Sequence, residues 1–447
     1  MFYLLDYTSC LRLGLDHYNI DCNKSYEIFD PSTNNHTIVI YFNKDSSIVC
    51  PRCKSDKLFI TGSKRNNIVF STNEVFRLNL AVYRRIYKCN NCSSYHLEPN
   101  PFAANNCSIS IMTEIKIMDE LKNFKNTFKD VALKFNLSPT IISDIFDKRF
   151  EAKRKRLPPV LSIDEVYADK LSRTKYCCIL YDPINKEIID VLDSRRKDYL
   201  KNYFKYLPLK ERLNVKYVSI DMWESYEDVA ELYLPKAIIC VDSFHVIKHL
   251  TECFHKIRIR VMKSYAHLKG EKDPLYWYYK KFWKYLVTDI NTSDVVKIKR
   301  TKTYVYKGQV LEFMLSTSDE LRLAYDLKED YRSFNFSVGE DNVVLYDKLN
   351  DLIERFKSSN IHEYREFWKL LEHWKVEIVN SFNTYKGKRI SNASIERKNR
   401  DIKTLIRIQF GLKNFIRFKN RIIYCFNDNS HILAYKKKDN NQKHRKI

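Results

Sequence analysis

Apolar and polar positions along this chain of 447 residues follow two different periods, and the places where the period changes mark its organisation. Between two Cys-x-x-Cys pairs the pattern alternates as strands do, most clearly over Val75-Phe76-Arg77-Leu78-Asn79-Leu80-Ala81-Val82-Tyr83. Beyond Pro99 and Pro101 the spacing turns helical, with one amphipathic run from Thr113 to Asn123 and another from Phe128 to Phe135. Asn136-Leu137-Ser138-Pro139 then predicts a short turn, with Ser138 as N-cap and Pro139 at the first position of a further helix through Phe146. From Val160 the pattern predicts a strand to Asp164, a strand from Lys175 to Tyr181, a turn at Asp182 to Asn185 and a strand from Glu187 to Leu192. A helix from Asp198 to Tyr206, a strand from Val215 to Asp221, a second helix and a strand from Ala237 to Asp242 follow. Between about Phe244 and Tyr385 the chain reads as almost wholly helical, with aromatic-rich stretches such as Tyr276-Trp277-Tyr278-Tyr279.

Three antiparallel strands followed by alternating helices and strands is the order of a ribonuclease-H-like core. The predicted fold class is therefore multidomain α+β: an N-terminal zinc ribbon, a helix-turn-helix, and a ribonuclease-H-like α/β catalytic core interrupted by a helical insertion. The expected boundaries are 1–105 for the ribbon domain, 106–156 for the helix-turn-helix and a basic linker, and 157–447 for the core. Within the core the insertion falls at about 244–385 and a basic tail at 436–447. Both candidate recognition modules lie within residues 1 to about 156, and that segment is expected to bind DNA without the core.

Composition narrows the partners. A formal charge of +23, from 78 Lys and Arg against 55 Asp and Glu, points to a polyanion such as double-stranded DNA. With 44% hydrophobic residues the chain can build large cores, which excludes wholesale disorder. No stretch offers the roughly 18 uninterrupted apolar residues of a membrane span, and Met1 to Asp6 does not read as a secretory signal. The expected location is the cytosol. In that reducing compartment the 12 cysteines are not a disulfide framework. Most are scattered in apolar runs, but Cys50-Pro51-Arg52-Cys53 and Cys89-Asn90-Asn91-Cys92 have the spacing of two knuckles that converge on one structural Zn2+, with His96 as a conceivable substitute ligand.

In a helix-turn-helix the second helix enters the major groove, so Thr140 and Ser143 are the expected base-facing residues. The basic run Lys153-Arg154-Lys155-Arg156 before Pro158-Pro159 is expected to lie along phosphates, with Arg154 and Arg156 as contacts. Asp164 and Asp221 each close an apolar, strand-like run, where open α/β sheets hold their ligands. Glu396 lies in a basic helical stretch whose Arg397, Arg400 and Lys403 are expected to touch phosphates. Two divalent ions held by a few carboxylates neutralise both the attacking and the leaving oxygen of a phosphodiester. Asp242 and His245 form an Asp-x-x-His element, read as supporting rather than metal-ligating; the alternative is that Asp242 caps the helix that begins near Ser243 and His245 packs against it.

These residues together resemble a transposase of the ISL-three family, bacterial insertion-sequence enzymes of the DDE class. The resemblance rests on the four cysteines, the segment at about 128–146, Ser162-Ile163-Asp164-Glu165, Ser219-Ile220-Asp221-Met222, Asp242-Ser243-Phe244-His245-Val246 and the block from Ser391-Asn392 to Arg421. In that block Glu396, Asn399, Ile402-Lys403, Arg407, Gly411, Asn414-Phe415 and Phe418 to Arg421 follow the family's pattern. Ala393 replaces its usual glycine and Arg397 its usual small residue, departures that bear on helix geometry rather than on the ligand set. The resemblance implies metal-dependent cleavage of terminal inverted repeats and strand transfer, with Asp164, Asp221 and Glu396 holding two Mg2+ ions. It also implies a homo-oligomer on DNA, in the bacterial cytoplasm and associated with the nucleoid. The alternatives are a DNA-binding repressor without catalysis, or a ribonuclease-H-like nuclease that does not join ends.

Overall fold

Long-range packing divides the chain into two units, residues 1–153 with 404–447, and residues 154–403. The computed structural model describes all residues except 1, 13, 16, 17, 46, 73–76, 105, 170, 269–274, 300, 338, 410–413, 429–431 and 434–447. Gly411 and the basic tail thus lie outside the described residues. Among the described residues no helix is long and apolar enough to cross a membrane.

In the first unit, β1 (Phe2–Leu4), helix α1 (Tyr7–Arg12), β2 (Tyr26–Asp30), β3 (Asn35–Tyr41), β4 (Leu58–Thr72), β5 (Arg77–Cys89) and β6 (Tyr95–Leu97) come first. The strands form one sheet in the order β1-β2-β3-β5-β4, and β6 pairs with the end of β5. The alternation expected for β5 sends Leu78, Leu80 and Val82 into a core with Ile38, Ile40, Ile68 and Phe102. Three helices follow: α2 (Ile111–Lys122), α3 (Phe128–Phe135) and α4 (Pro139–Arg149). Thr127 and Asp130 form a capping box on α3, and Asn136 ends it in the left-handed region at φ 50°. Ser138 Oγ then accepts from the Ile141 N–H to open α4, with Pro139 at the first turn as predicted. Arg149 and Glu114 make a buried pair at 2.7 Å between α4 and α2.

The last helix, α16 (Phe415–Phe426), belongs to this unit, although the sequence boundaries assign residues 404–447 to the core. Its Tyr424 and Phe426 pack on Phe146 and Phe124. Arg421 is 0% exposed and donates to the backbone carbonyls of Leu121 and Asn126. Lys122 in turn donates to the carbonyls of Tyr424 at 2.6 Å and Asn427 at 2.7 Å. Residues 1–156 alone would leave those partners unsatisfied.

The second unit is built on β7 (Val160–Asp169), β8 (Lys175–Asp182), β9 (Glu187–Leu192), α5 (Lys197–Lys205), α6 (Leu209–Arg212), β10 (Tyr217–Ile220), α7 (Glu224–Tyr233) and β11 (Ile238–Val241). The sheet order is β11-β10-β7-β8-β9, antiparallel among β7, β8 and β9 and parallel where β10 meets β7 and β11. Elements predicted from the sequence match these within a few residues. Two details differ: the short helix α6 was not expected, and β7 runs on to Asp169, because its pairing with β8 continues through Tyr167↔Tyr176. Asp164 is therefore mid-strand rather than terminal.

The expected helical stretch comprises α8 (Ser243–Ser264), α9 (Leu275–Lys281), α10 (Lys307–Ser316), α11 (Asp319–Asn335), α12 (Asn342–Ser358), α13 (Arg365–His373) and α14 (Lys375–Asn380). A hairpin that the periodicity did not reveal, β12 (Val295–Ile298) with β13 (Thr303–Tyr306), interrupts it. These helices share one apolar core with the sheet, including Leu161, Val218, Phe254, Tyr331 and Phe367. A two-residue ladder, β14 (Thr384–Tyr385) with β15 (Lys388–Arg389), leads into α15 (Ala393–Ile408).

Candidate active site

The parallel strands carry the site. Ser219 of β10 lies opposite Ser162 of β7, and Ile220 lies opposite Val241 of β11. The same register carried forward sets Asp221 level with Asp164 on one side and Asp242 on the other. Both strands read Ser-Ile-Asp, and in both the serine Oγ is buried without a hydrogen-bond partner among the described residues.

Asp164 is 8% exposed. Its Oδ1 accepts from the Glu165 N–H at 2.7 Å and its Oδ2 from Asn399 Nδ2 at 2.6 Å. Asp221 Oδ1 is buried with no hydrogen-bond partner among the described residues. Glu165 is held by Arg195 at 2.6 Å and by the Tyr226 hydroxyl at 3.1 Å, and the Arg195 guanidinium lies over the rings of Tyr176 and Trp223. Asp242, 1% exposed, occupies the N-cap position of α8, yet its side chain makes no capping bond. The alternative of a helix cap is thus not met: Oδ1 accepts instead from the Asn392 backbone N–H at 2.9 Å, and Oδ2 has no partner among the described residues. Glu396, in the first turn of α15, sets Oε1 3.6 Å from His245 Nε2.

Burial and mutual repulsion dominate the electrostatics. Burial pushes the carboxyls of Asp164 and Asp221 up to about 7. The charges of Glu165 and Glu396 add to this at Asp164, and those of Glu165, Asp164 and Asp242 at Asp221. Burial likewise raises Asp242, and burial with the charge of Asp242 raises Glu396. His245 is pushed down by burial despite Asp242 nearby. Crowded carboxylates with unpartnered oxygens form a donor set that fits divalent cations, whose charge would remove the repulsion.

Asn399, Asn392, Ser162 and Ser219 were not singled out from sequence as part of the site. Two signals were available: the repeated Ser-Ile-Asp, and the position of Asn399 three residues after Glu396, on the same helix face.

Among the expected DNA contacts, Arg397, Arg400 and Lys403 are exposed along α15, while Ile395, Asn399 and Ile402 face inward. Arg156 and Thr140 are exposed. Ser143 is not base-facing: it is buried and donates to the Thr140 carbonyl at 2.9 Å. Arg154 is bound to Glu211 through both guanidinium nitrogens, and Lys155 pairs with Glu187 at 2.6 Å. The basic run is therefore partly neutralised within the protein.

In the first unit the thiols of Cys50, Cys53, Cys89 and Cys92 lie within 4.8 Å of one another, a cluster that fits a zinc ribbon. The two knuckles share one geometry. The Lys54 N–H bonds the Cys50 carbonyl at φ 61°, and the Ser93 N–H bonds the Cys89 carbonyl at φ 54°. His96 Nε2 stands 3.1 Å from Cys50 Sγ and 2.6 Å from Ser94 Oγ.

Fold and site together define a mixed-sheet protein whose clustered acids are suited to divalent cations, joined to a unit with a cysteine cluster. A family described as Transposase, of the DDE ISL-three type, matches residues 161–422, more than half of the chain, and the chain belongs to that family. Over 100 residues it is also 30% identical to the transposase for insertion sequence element IS1001 of Bordetella parapertussis. That stretch covers 22% of this chain and 24% of the relative.

Proposed function

We propose that this transposase cuts the ends of an insertion sequence and joins them to target DNA, using Asp164, Asp221 and Glu396 on a ribonuclease-H-like core. The observation that carries the reading is the convergence of acids from β7, β10, β11 and α15 at one sheet edge, with buried oxygens left unpartnered. The strand order β9-β8-β7-β10-β11, with its antiparallel and parallel halves, supports it. Two divalent ions, Mg2+ in the cell, would neutralise the attacking and leaving oxygens of an in-line displacement.

The chain's own residues fix that arrangement. Asn399 and the Glu165 N–H clamp both oxygens of Asp164, so the carboxylate is set before substrate arrives. The Asn392 N–H orients Asp242 in the same way. Arg397, Arg400 and Lys403 continue the α15 surface beside Glu396 as phosphate contacts. Arg156 and the exposed start of α4 at Thr140 serve as further DNA contacts in a helix-turn-helix. Pairing both ends of an element calls for more than one copy of the chain on the DNA.

The test is to incubate the purified protein with its flanking genomic DNA and Mg2+, mapping cut and joined ends at nucleotide resolution. Strand cleavage at the element boundary followed by joining is expected. Binding without cleavage under Mg2+ would sink the catalytic reading, and cleavage without joining would make the protein a nuclease.

The cysteine cluster is proposed to hold one structural Zn2+. Native mass spectrometry should show one zinc per chain. Chelation should melt the β4–β5–β6 end of the first unit, seen as loss of amide-exchange protection at Tyr87 to Leu97. Protection unchanged after complete zinc removal would rule out a structural role.

A further inference from the structure

We propose that Asp242, His245 and Glu396 form a first-row transition-metal site of their own, with the His245 imidazole as a direct nitrogen ligand. This deepens the proposed catalytic reading and rests on it through Glu396, but its ligand set does not need Asp164 or Asp221.

Geometry supports this first. One ligand atom from each residue lies within 4.8 Å of the other two. Ligands about 2.1 Å from a common ion stand roughly 3 Å apart at right angles and about 4.2 Å apart when opposed, so shifts of a few tenths of an ångström close the set. His245 Nε2 and Glu396 Oε1, at 3.6 Å, are too far apart for a hydrogen bond and close enough to share an ion.

Burial supplies the second, independent argument. Asp242 is 1% exposed, and among the described residues only its Oδ1 has a partner, the Asn392 N–H. A shielded carboxylate oxygen without a hydrogen-bond partner carries a large desolvation cost unless a cation or ordered water meets it. The Asn392 side chain, on the same residue that binds Asp242, is 0% exposed, and neither of its polar atoms has a partner among the described residues, as expected beside an ion with its water shell. The placement is also rigid. Asp242 and His245 sit one helical turn apart at the start of α8, and Glu396 is in the first turn of α15. A capping role for Asp242 does not compete, since its side chain makes no cap bond.

Ligand chemistry then separates this set from its neighbours. Two carboxylates and an imidazole favour Mn2+ over Mg2+, because Mg2+ takes oxygen ligands almost exclusively. Asp164 and Asp221 offer oxygen alone.

The probe is Mn2+ added to the full chain, stripped of adventitious metal and given one equivalent of Zn2+ for the thiolates. Pulsed electron paramagnetic resonance should show nitrogen coupling from a directly bound imidazole. His245→Ala should abolish the coupling and lower Mn2+ affinity about tenfold or more, with one ion fewer bound. Glu396→Gln, which keeps side-chain size and so tests the site where the alanine variant fails to fold, should weaken the coupling. Asp164→Asn and Asp221→Asn should retain it. Bound Mn2+ without nitrogen coupling, or coupling that survives His245→Ala, overturns the proposal. Normal cleavage by Asp221→Asn would instead overturn the catalytic assignment and leave the nitrogen result standing.

Discussion

Asp221→Asn is expected to abolish cleavage and joining, by roughly a thousandfold or more, while making the metal-free protein more stable at neutral pH. Both effects have one origin. The folded-state pKa of Asp221, about 7, lies above its ordinary value of 3.8, so the fold disfavours the ionised form. Below pH ~4 the group is protonated in both folded and unfolded chains and has no effect on stability. Between about 4 and 7 the unfolded chain gives up the proton first, so stability falls as pH rises through that window. Asp164, also pushed up to about 7, acts in the same direction. The asparagine variant removes the penalty, on the order of 3 kcal/mol at neutral pH. A divalent ion reverses the picture for the native chain by making the ionised form the favoured one. Thermal melts at pH 5 and pH 7.5, with and without Mg2+, should show native protein gaining from Mg2+ at the higher pH and the variant gaining little. Asp164→Asn and Glu396→Gln should share the loss of cleavage on sequencing gels, since the acids act as a unit. Near-normal cleavage by Asp221→Asn would remove it from the catalytic set.

Arg421→Ala should be the most destabilising single change in the first unit, by roughly 3–5 kcal/mol. The guanidinium is wholly buried, bonded to the carbonyls of Leu121 and Asn126, and lies near the rings of Phe128 and Phe146. Truncation strands both carbonyls and opens a cavity between α16 and the helices it closes. By the same logic, a fragment ending near residue 156 should lack cooperative unfolding, and adding a peptide spanning α16 should restore it. Differential scanning calorimetry reads both. A sharp transition in the bare fragment would show that α16 is dispensable.

The structure of this chain was legible in sequence where it follows local rules. Ser-Ile-Asp in two apolar runs drew attention to Asp164 and Asp221, although β7 runs on past Asp164, and the Ser138-Pro139 pair located the start of α4, because caps are set by a few adjacent residues. What was not legible depends on partners far along the chain. Arg154 looked like a phosphate contact until Glu211 met it, and Ser143 looked outward until the turn of α4 placed it beneath Thr140. For Asp242 the local alternative to a supporting role was a helix cap, as residues before helices commonly provide. Its real partner, the Asn392 N–H, arrives from 150 positions later. The placement of α16 escaped for the same reason, since its buried partners at Leu121 and Asn126 lie some 300 residues earlier.

Glu396 and Asn399 lie three residues apart on α15, and Asn399 reaches Asp164. Inserting one residue between them would turn Asn399 by about 100° around the helix axis and carry it along by about 1.5 Å, away from the carboxylate it holds. Exposed loops elsewhere in the chain can lengthen without such a penalty. This turn therefore behaves as a ruler: the number of residues in it, and not only their identity, is under constraint, and a single-residue insertion there should be tolerated far less than one in an exposed loop.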